Sequence, residues 1–469
     1  MDSKFKLIAG LVFLVLIFSL GVYAVNYLNR PLLIDEEPTE LEVTVYNSNL
    51  GVVKEIRNKY LFSGINDVLY TGVASQIDPT SVKLKALEGG IRVLEQNYEY
   101  DLVSKEKILE KYIDKNITGY QIYGDRKELV EGTLLSYSGG QVVLKTKQGV
   151  LKIISLSEFD LPELPEGLIT KPTLHWMIEA DESENKSLEL SYMTSGMSWK
   201  ADYVTVVNAD DTILDLTGWV TITNNAGTTF KDASLKLVAG DVNRVYDYDA
   251  IASGDRYMAM ESKAAAPQFT EESLFEYHLY DLQRPTTLRD KEQKQIELLS
   301  GNNVDVEKEF VYENTRWYTS NTKVRVMLNF ENTEDNNLGM PLPKGRVRVF
   351  KKDSEEKLQF IGEDSIDHTP KDETLRIFVG EAFDVLGERK QMDYNILAGW
   401  YEYEWDVILK NHKDEDITVT VLENTGGDWE IVKENYQHEK ESNNKIKWKI
   451  PVEPNSESKL TYKIRYKRY

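Results

Sequence analysis

The sequence predicts a mainly β protein: an N-terminal transmembrane helix, then β-sandwich domains with one small inserted barrel. Three observations carry this. Apolar residues make up 41% of the 469, with 27 Tyr and 8 Trp, enough to fill folded cores. Val, Ile, Tyr, Phe and Thr recur in short runs alternating with polar residues, the period of a half-buried strand. After the first thirty residues only one short stretch has helical spacing. A chain of this length exceeds what one core usually organises, so two to four domains are expected.

The first element is the apolar run Leu7–Leu28, preceded by Lys4 and Lys6. At about 1.5 Å per residue it reaches roughly 30 Å as a helix, enough to cross a bilayer. Positive charge before it and Asp35, Glu36 and Glu37 after it orient the N-terminus to the cytoplasm and the bulk outside. Tyr23 and Tyr27 fall at the outer interface. The expectation is a single-pass anchor in residues 1–29, with the membrane as partner through residues 7–28. Val22-Tyr23-Ala24 is a loose match to a signal-peptidase site, and cleavage near Ala24 would instead secrete the chain. The length of the run favours the uncleaved anchor. A buried core helix is disfavoured because the run has no polar face.

Residues 30–40, with Pro31 and Pro38, read as a stem. Residues 41–100 read as a small β-domain: Leu41, Val43 and Val45 alternate, Val82, Leu84 and Ala86 alternate, and Gly89-Gly90 marks a hairpin turn. Residues 104–158 form the insertion. Ser104 is a good N-cap for a helix placing Ile108, Leu109 and Tyr112 on one face. Strand-like runs then follow at 117–123, 130–137, 141–146 and 150–156. One helix and about five short strands suit a small Sm-like or SH3-like barrel. After the proline-stiffened connector 161–165, residues 163–469 read as a β-sandwich region. Its regularity breaks at 243–270, which reads as a mobile loop.

Several stretches together resemble a large family of bacterial and archaeal proteins carrying the domain of unknown function 4139, related to mucoidy-inhibitor-like proteins. The likeness rests on Leu50-Gly51-Val52-Val53, on Ile77-Asp78-Pro79-Thr80-Ser81 and on Tyr192-Met193-Thr194-Ser195-Gly196-Met197-Ser198-Trp199-Lys200-Ala201-Asp202-Tyr203. It continues in Gly218-Trp219-Val220, Leu235-Lys236-Leu237-Val238-Ala239-Gly240, Gly345-Arg346-Val347, His368-Thr369-Pro370-Lys371 and Gly380-Glu381-Ala382-Phe383. The resemblance implies an extracytoplasmic β-rich protein and brings no established catalytic residues. Many relatives carry a coiled coil between their β-parts; here the small barrel stands in its place.

Chemistry is sparse. The formal charge of −22 repels phosphate backbones, so no nucleic-acid partner is expected. There is no Cys, hence no disulfide, thiolate nucleophile or thiolate metal site. His175, His278, His368, His412 and His438 are isolated, and no phosphate loop, nucleophile elbow or dinucleotide fingerprint occurs. No catalytic residue, cofactor or metal is assigned. Asp364 with Asp367 and Asp414 with Asp416 are the nearest approach to paired carboxylates. Trp199 and Trp219 read as core. Tyr401, Tyr403 and Trp405 alternate with Glu402 and Glu404, so all three project from one face of a strand. That face is either a sandwich core or an exposed platform for a protein or glycan partner. Asn116 and Asn185 open N-glycosylation sequons. The expected role is a membrane-anchored extracytoplasmic structural or binding module of the cell envelope. The alternative is a carbohydrate-active enzyme or lectin-like glycan binder.

Overall fold

The computed structural model describes residues 31–467, apart from 124–125, 156–157, 164, 166–167, 241, 244–267 and 316–321. The expected membrane span 7–28 and most of the expected loop 243–270 lie outside the described residues. Among the described residues no helix is long and apolar enough to cross a membrane. The described chain is mainly β, arranged in five sheets.

The N-terminal strands are β1 (Leu32–Ile34), β2 (Glu40–Tyr46), β3 (Gly51–Leu61), β4 (Gly64–Thr71), β5 (Lys83–Ala86) and β6 (Ile91–Glu99). Strict alternation buries Val43 and Val45 of β2 completely. Gly89 and Gly90 do turn with positive φ, 76° and 71°. They do not close a hairpin, because β5 and β6 leave the turn into different sheets.

Next comes α1 (Lys105–Lys111), capped by Ser104, whose Oγ accepts from the Lys107 amide at 3.2 Å. It is followed by β7 (Asn116–Tyr123), β8 (Arg126–Ser138), β9 (Gln141–Lys145), β10 (Leu151–Ile154) and β11 (Glu158–Asp160). These five strands form one antiparallel sheet in the order β10-β9-β8-β7-β11. Leu109 and Tyr112 from the helix end join Ile117, Val130, Leu134, Val142 and Leu144 in a core of their own.

The chain then returns through β12 (Thr173–Ala180), β13 (Glu184–Thr194), β14 (Met197–Val207), β15 (Ile213–Asn224) and β16 (Phe230–Ala239). β17 (Phe269–Leu274), β18 (Tyr277–Leu282), β19 (Thr286–Leu288) and β20 (Glu292–Asp305) follow. Phe269 and Thr270, expected at the end of a loop, open β17, because buried Phe269 has a core to fill. β12 lies between β4 and β6, β13 pairs with β3 and β5, and β16 runs parallel to β2. Residues 41–100 therefore share their sheets and one hydrophobic core with residues 173–239. A boundary drawn between 100 and 163 crosses these hydrogen-bonded ladders.

The remaining strands are β21 (Glu307–Thr315), β22 (Lys323–Glu331), β23 (Gly345–Lys352), β24 (Leu358–Ile366) and β25 (Thr374–Leu397). The chain ends with β26 (Trp400–Asn411), β27 (Ile417–Asn424), β28 (Trp429–Glu434), β29 (Glu439–Ser442), β30 (Lys445–Val452) and β31 (Ser456–Lys467). All but β23 and β24 form a nine-stranded sheet around a second core built on Trp405, Trp448, Tyr312 and Tyr462. β23 goes back to the first core, parallel to β14.

One strand order occurs twice, and no sequence motif announces it. β2–β3 and β21–β22 are antiparallel hairpins. β16 runs parallel to β2, as β27 does to β21. β13 and β14 together, and β25 alone, pair first with the hairpin's second strand and then with the following strand, β15 or β26. Asn224 ends β15 opposite Glu292 of β20, and Asn411 ends β26 opposite Ser456 of β31. Phe230 then faces Leu288, as Ile417 faces Val452. Both asparagines do the same local work. Asn224 Oδ1 accepts the Ala226 amide at 3.0 Å, and its Nδ2 donates to the carbonyls of Thr228, Leu288 and Arg289. Asn411 Oδ1 accepts the Lys413 amide at 3.0 Å, and its Nδ2 donates to the carbonyls of Glu415, Val452 and Glu453. The helix and five-stranded sheet interrupt the first unit between β3 and β13; β23 and β24 interrupt the second between β22 and β25.

Candidate functional site: an aromatic sheet face

The second half of β25 and the start of β26 form a long hairpin closed at Gly399, which takes φ 81°. Directly opposed residues of an antiparallel pair share a face. Here Tyr394 opposes Tyr403, Ile396 opposes Tyr401, and Gln391 opposes Trp405. On the other side of β26, Tyr401 opposes Tyr466, Tyr403 opposes Ile464, and Trp405 opposes Tyr462. Trp429 and Ile431 of β28 extend the row beyond β31. One face thus carries rings and branched aliphatic side chains across four strands.

Burial along this face is graded. Trp405, Tyr462 and Tyr466 are core residues. Tyr403 is half-buried and lies over Trp405, rings 6.2 Å apart and 13° from parallel. Tyr394 meets Tyr403 at 4.8 Å. Towards the tip the side chains come into solvent: Tyr394 is 42% exposed and Ile396 59%, while Leu397, 45% exposed, opposes Trp400 on the other face. Met392, in the bulge between Gln391 and Asp393, is 57% exposed. The opposite face is charged. Lys463 pairs with Glu402 and Glu404, Arg465 pairs with Glu430, and the Arg465 guanidinium sits 4.6 Å over the Trp400 ring.

Of the three residues singled out from sequence, Trp405 is therefore core, and Tyr401 and Tyr403 sit where the core meets solvent. The exposed part of the face comes largely from Met392, Tyr394 and Ile396, which sequence reasoning passed over. Their signal was available: they alternate with Asp393 and Asn395 and approach Gly399 as β26 leaves it.

Trp405 is rooted in a buried ionic cluster. The Arg389 guanidinium lies 3.5 Å over its ring. Arg389 Nη2 donates to Glu423 Oε1 at 2.5 Å and to the Tyr462 hydroxyl at 3.1 Å. That hydroxyl donates to Glu423 Oε2 at 2.9 Å. Burial pushes the Glu423 carboxyl up to about 7, against the attraction of Arg389 and the Tyr462 hydrogen bond. The same burial drives the Tyr462 hydroxyl well above its ordinary range, aided by the charge of Glu423.

The other candidates are dispersed. His175 sits between Asp67 and Glu99; partial burial opposes its charge, but the two carboxylates prevail and raise its pKa. His278 meets Glu271, and His438 meets Glu434, which also accepts from Trp448 Nε1 at 2.9 Å. Asp364 accepts the amides of Ser365 and Phe378, and Asp414 accepts from Asn455, so these carboxylates hold turns and strands. Among the described residues no three His, Asp or Glu groups are arranged to hold a metal ion. Trp199 is core, its Nε1 donating to the Val238 carbonyl at 3.1 Å, whereas Trp219 is half-buried. Asn116 and Asn185 are exposed on β7 and β13.

A cleft of about 1050 Å³ separates the loop Ala209–Thr212 from β21 and β27. Its charges are largely engaged across it: Asp211 pairs with Lys308 at 2.7 Å and Lys351 at 2.5 Å, and Glu309 pairs with Arg376 at 2.8 Å. These pairs tie the cleft walls together and leave it less suited to a ligand than the hairpin.

No known protein-family pattern matches the chain, and no curated protein matches it in sequence.

Proposed function

We propose that this chain is a membrane-anchored, extracytoplasmic binding or structural module of the cell envelope that engages a protein partner through the β25–β26 hairpin. The observation that carries the reading is the graded aromatic face. Its root, Trp405 over Arg389, is rigid and buried, while Tyr394, Ile396 and Met392 stand exposed at the end of a preorganised hairpin. Aromatic and methionine side chains held rigidly at a surface are the usual anchors of protein interfaces. Aliphatic Ile396 and Met392 beside the tyrosines favour a protein over a sugar, which would stack on rings alone. A glycan is the second reading, supported by the paired rings of Tyr394 and Tyr403.

The finer architecture belongs to the same proposal. The two repeated strand sets are read as β-sandwiches, α1 with β7–β11 as a small Sm-like or SH3-like barrel, and residues 7–28 as the anchor. The likeness to proteins with the domain of unknown function 4139 fits an extracytoplasmic role of this kind.

The test is a pull-down from native membranes with the unaltered chain and with Ile396→Asp plus Tyr394→Ala, alongside a glycan array. Both changes are at exposed positions, so folding should survive. A partner lost only with the altered hairpin supports the reading. Partners retained in full, with no glycan bound, would overturn it. Recovery of the full chain from the cytosol would overturn the membrane assignment.

A further inference from the structure

The turn between β3 and β4 carries a second set of exposed apolar side chains: Tyr60 is 44% exposed, Phe62 53% and Ile65 67%. The Tyr60 and Phe62 rings meet edge to face at 5.3 Å. The turn is stiff: Gly64 takes φ 95°, and Asn66 braces it by accepting the Phe62 amide and donating to the carbonyls of Phe62 and Gly64. Ser63 ties it to the neighbouring loop through Ser183 Oγ and the Asp181 carbonyl. A built, rigid turn that keeps a Phe, a Tyr and an Ile in solvent needs an occupant for them.

The direction of β1 says what that occupant is. β1 runs parallel to β4, with Leu32 opposite Val68. Moving back along β1 from Ile34 to Leu32 therefore moves along β4 towards Gly64. Leu28, the end of the apolar run, is four residues before Leu32, which limits it to roughly 14 Å away whatever its conformation. Gly64 is likewise four residues before Val68 on β4, so the reach of those four residues includes the level of the Tyr60–Ile65 turn.

We propose that this turn seats in the headgroup–acyl boundary of the bilayer in which the chain is anchored, with Phe62 and Ile65 in the acyl region and Tyr60 at the headgroups. The inference rests on the membrane reading above. Tyrosine with an apolar body and a polar tip suits this boundary. The charges at this end are mixed: Lys186 pairs with Glu184, and Asp181 and Glu182 share the loop. The three acidic groups outnumber Lys186, which disfavours an anionic surface and leaves zwitterionic lipid, on which the docking is insensitive to salt. Two points of attachment, the anchor and the turn, would hold the first unit at a set orientation to the membrane.

The absence of Cys allows a clean test. The full-length chain is made with a single Cys at Phe62→Cys, Ile65→Cys or, as a control, Glu356→Cys, whose side chain is 78% exposed on a distant turn. Each is coupled to an environment-sensitive fluorophore and reconstituted into phosphatidylcholine vesicles. The expected result is a blue shift at 62 and 65, quenched by bromine-labelled acyl chains and unchanged by salt, with no shift at 356. A chain that stays in the vesicles after an alkaline wash but shows water-like emission at 62 and 65 overturns the turn's role and leaves the anchor intact. Release by the wash overturns the anchor and this inference together. A blue shift that is not quenched by the brominated lipid identifies a second copy as the occupant and also overturns the proposal.

Discussion

The buried cluster beneath Trp405 makes the sharpest prediction. The Arg389 and Glu423 side chains are 1% and 0% exposed and 2.5 Å apart. Breaking such a pair from one side costs about 3–5 kcal/mol, because a charge is left without compensation inside the core. The two single changes should differ. Glu423→Gln replaces a carboxyl that is largely protonated below pH 7 by a neutral amide of the same shape, so its cost is small, about 1–2 kcal/mol at acid pH, and shrinks as pH climbs through about 7. Arg389→Met leaves a carboxyl that can take up a proton, so its cost also stays below that range, at about 1–3 kcal/mol near neutral pH, and grows as pH rises. The combined variant carries neither stranded charge and should recover about 2 kcal/mol relative to the sum of the single changes.

The pH dependence follows in sign. The folded Glu423 carboxyl sits at about 7, above its ordinary 4.5. A group raised on folding stabilises fully below its unfolded pKa, and that stabilisation is lost as pH climbs through the folded value. The loss between pH 4.5 and 7 approaches about 3 kcal/mol, at roughly 1.4 kcal/mol for each pKa unit. Comparing the protein with Glu423→Gln cancels the titration of the other carboxylates. The assay is guanidinium unfolding followed by tryptophan emission, since Trp405 and Trp448 lie in this core. Additive single and double changes, or a flat difference between the protein and Glu423→Gln from pH 5 to 8, would refute the reasoning.

Two further changes probe the repeated frame. Asn224→Ala and Asn411→Ala each strand three carbonyls and an amide at equivalent turns, so each should cost about 1–3 kcal/mol, measured by unfolding; a silent result at either would mean the shared turn is not a stabilising device. Gly387→Ala would put a Cβ 2.4–2.7 Å from Tyr312 ring carbons and should cost about 1–3 kcal/mol, whereas Gly380→Ala, with open space around it, should stay near neutral by the same measurement.

Much of the secondary structure was legible because it is local. Ser104 capping a helix with Leu109 inside, Gly139-Gly140 turning between β8 and β9, and the alternating strand at 41–45 all follow from neighbours a few positions apart. The hairpin after Gly89-Gly90 failed for the complementary reason. A glycine pair specifies a turn, but whether the flanking strands then pair depends on partners about a hundred residues later, β12 and β13. The site was half legible. Alternation placed Tyr401, Tyr403 and Trp405 on one face, yet could not say which end of that face was covered. Trp405 is buried because Tyr462 and Arg389 close over it, and those residues arrive from other strands.

The sequence alone therefore determined the class of structure, the positions of its turns, and an opening apolar run long enough to span a bilayer. These are properties of period and composition that neighbouring residues settle among themselves. Only the tertiary structure decided that residues 41–99 complete the core of a later segment, that one strand order is used twice, and that arginine and glutamate meet beneath Trp405. Backbone hydrogen bonding is the same for every strand, so pairing is chosen by which faces can be buried together, and that choice is made across the whole chain at once.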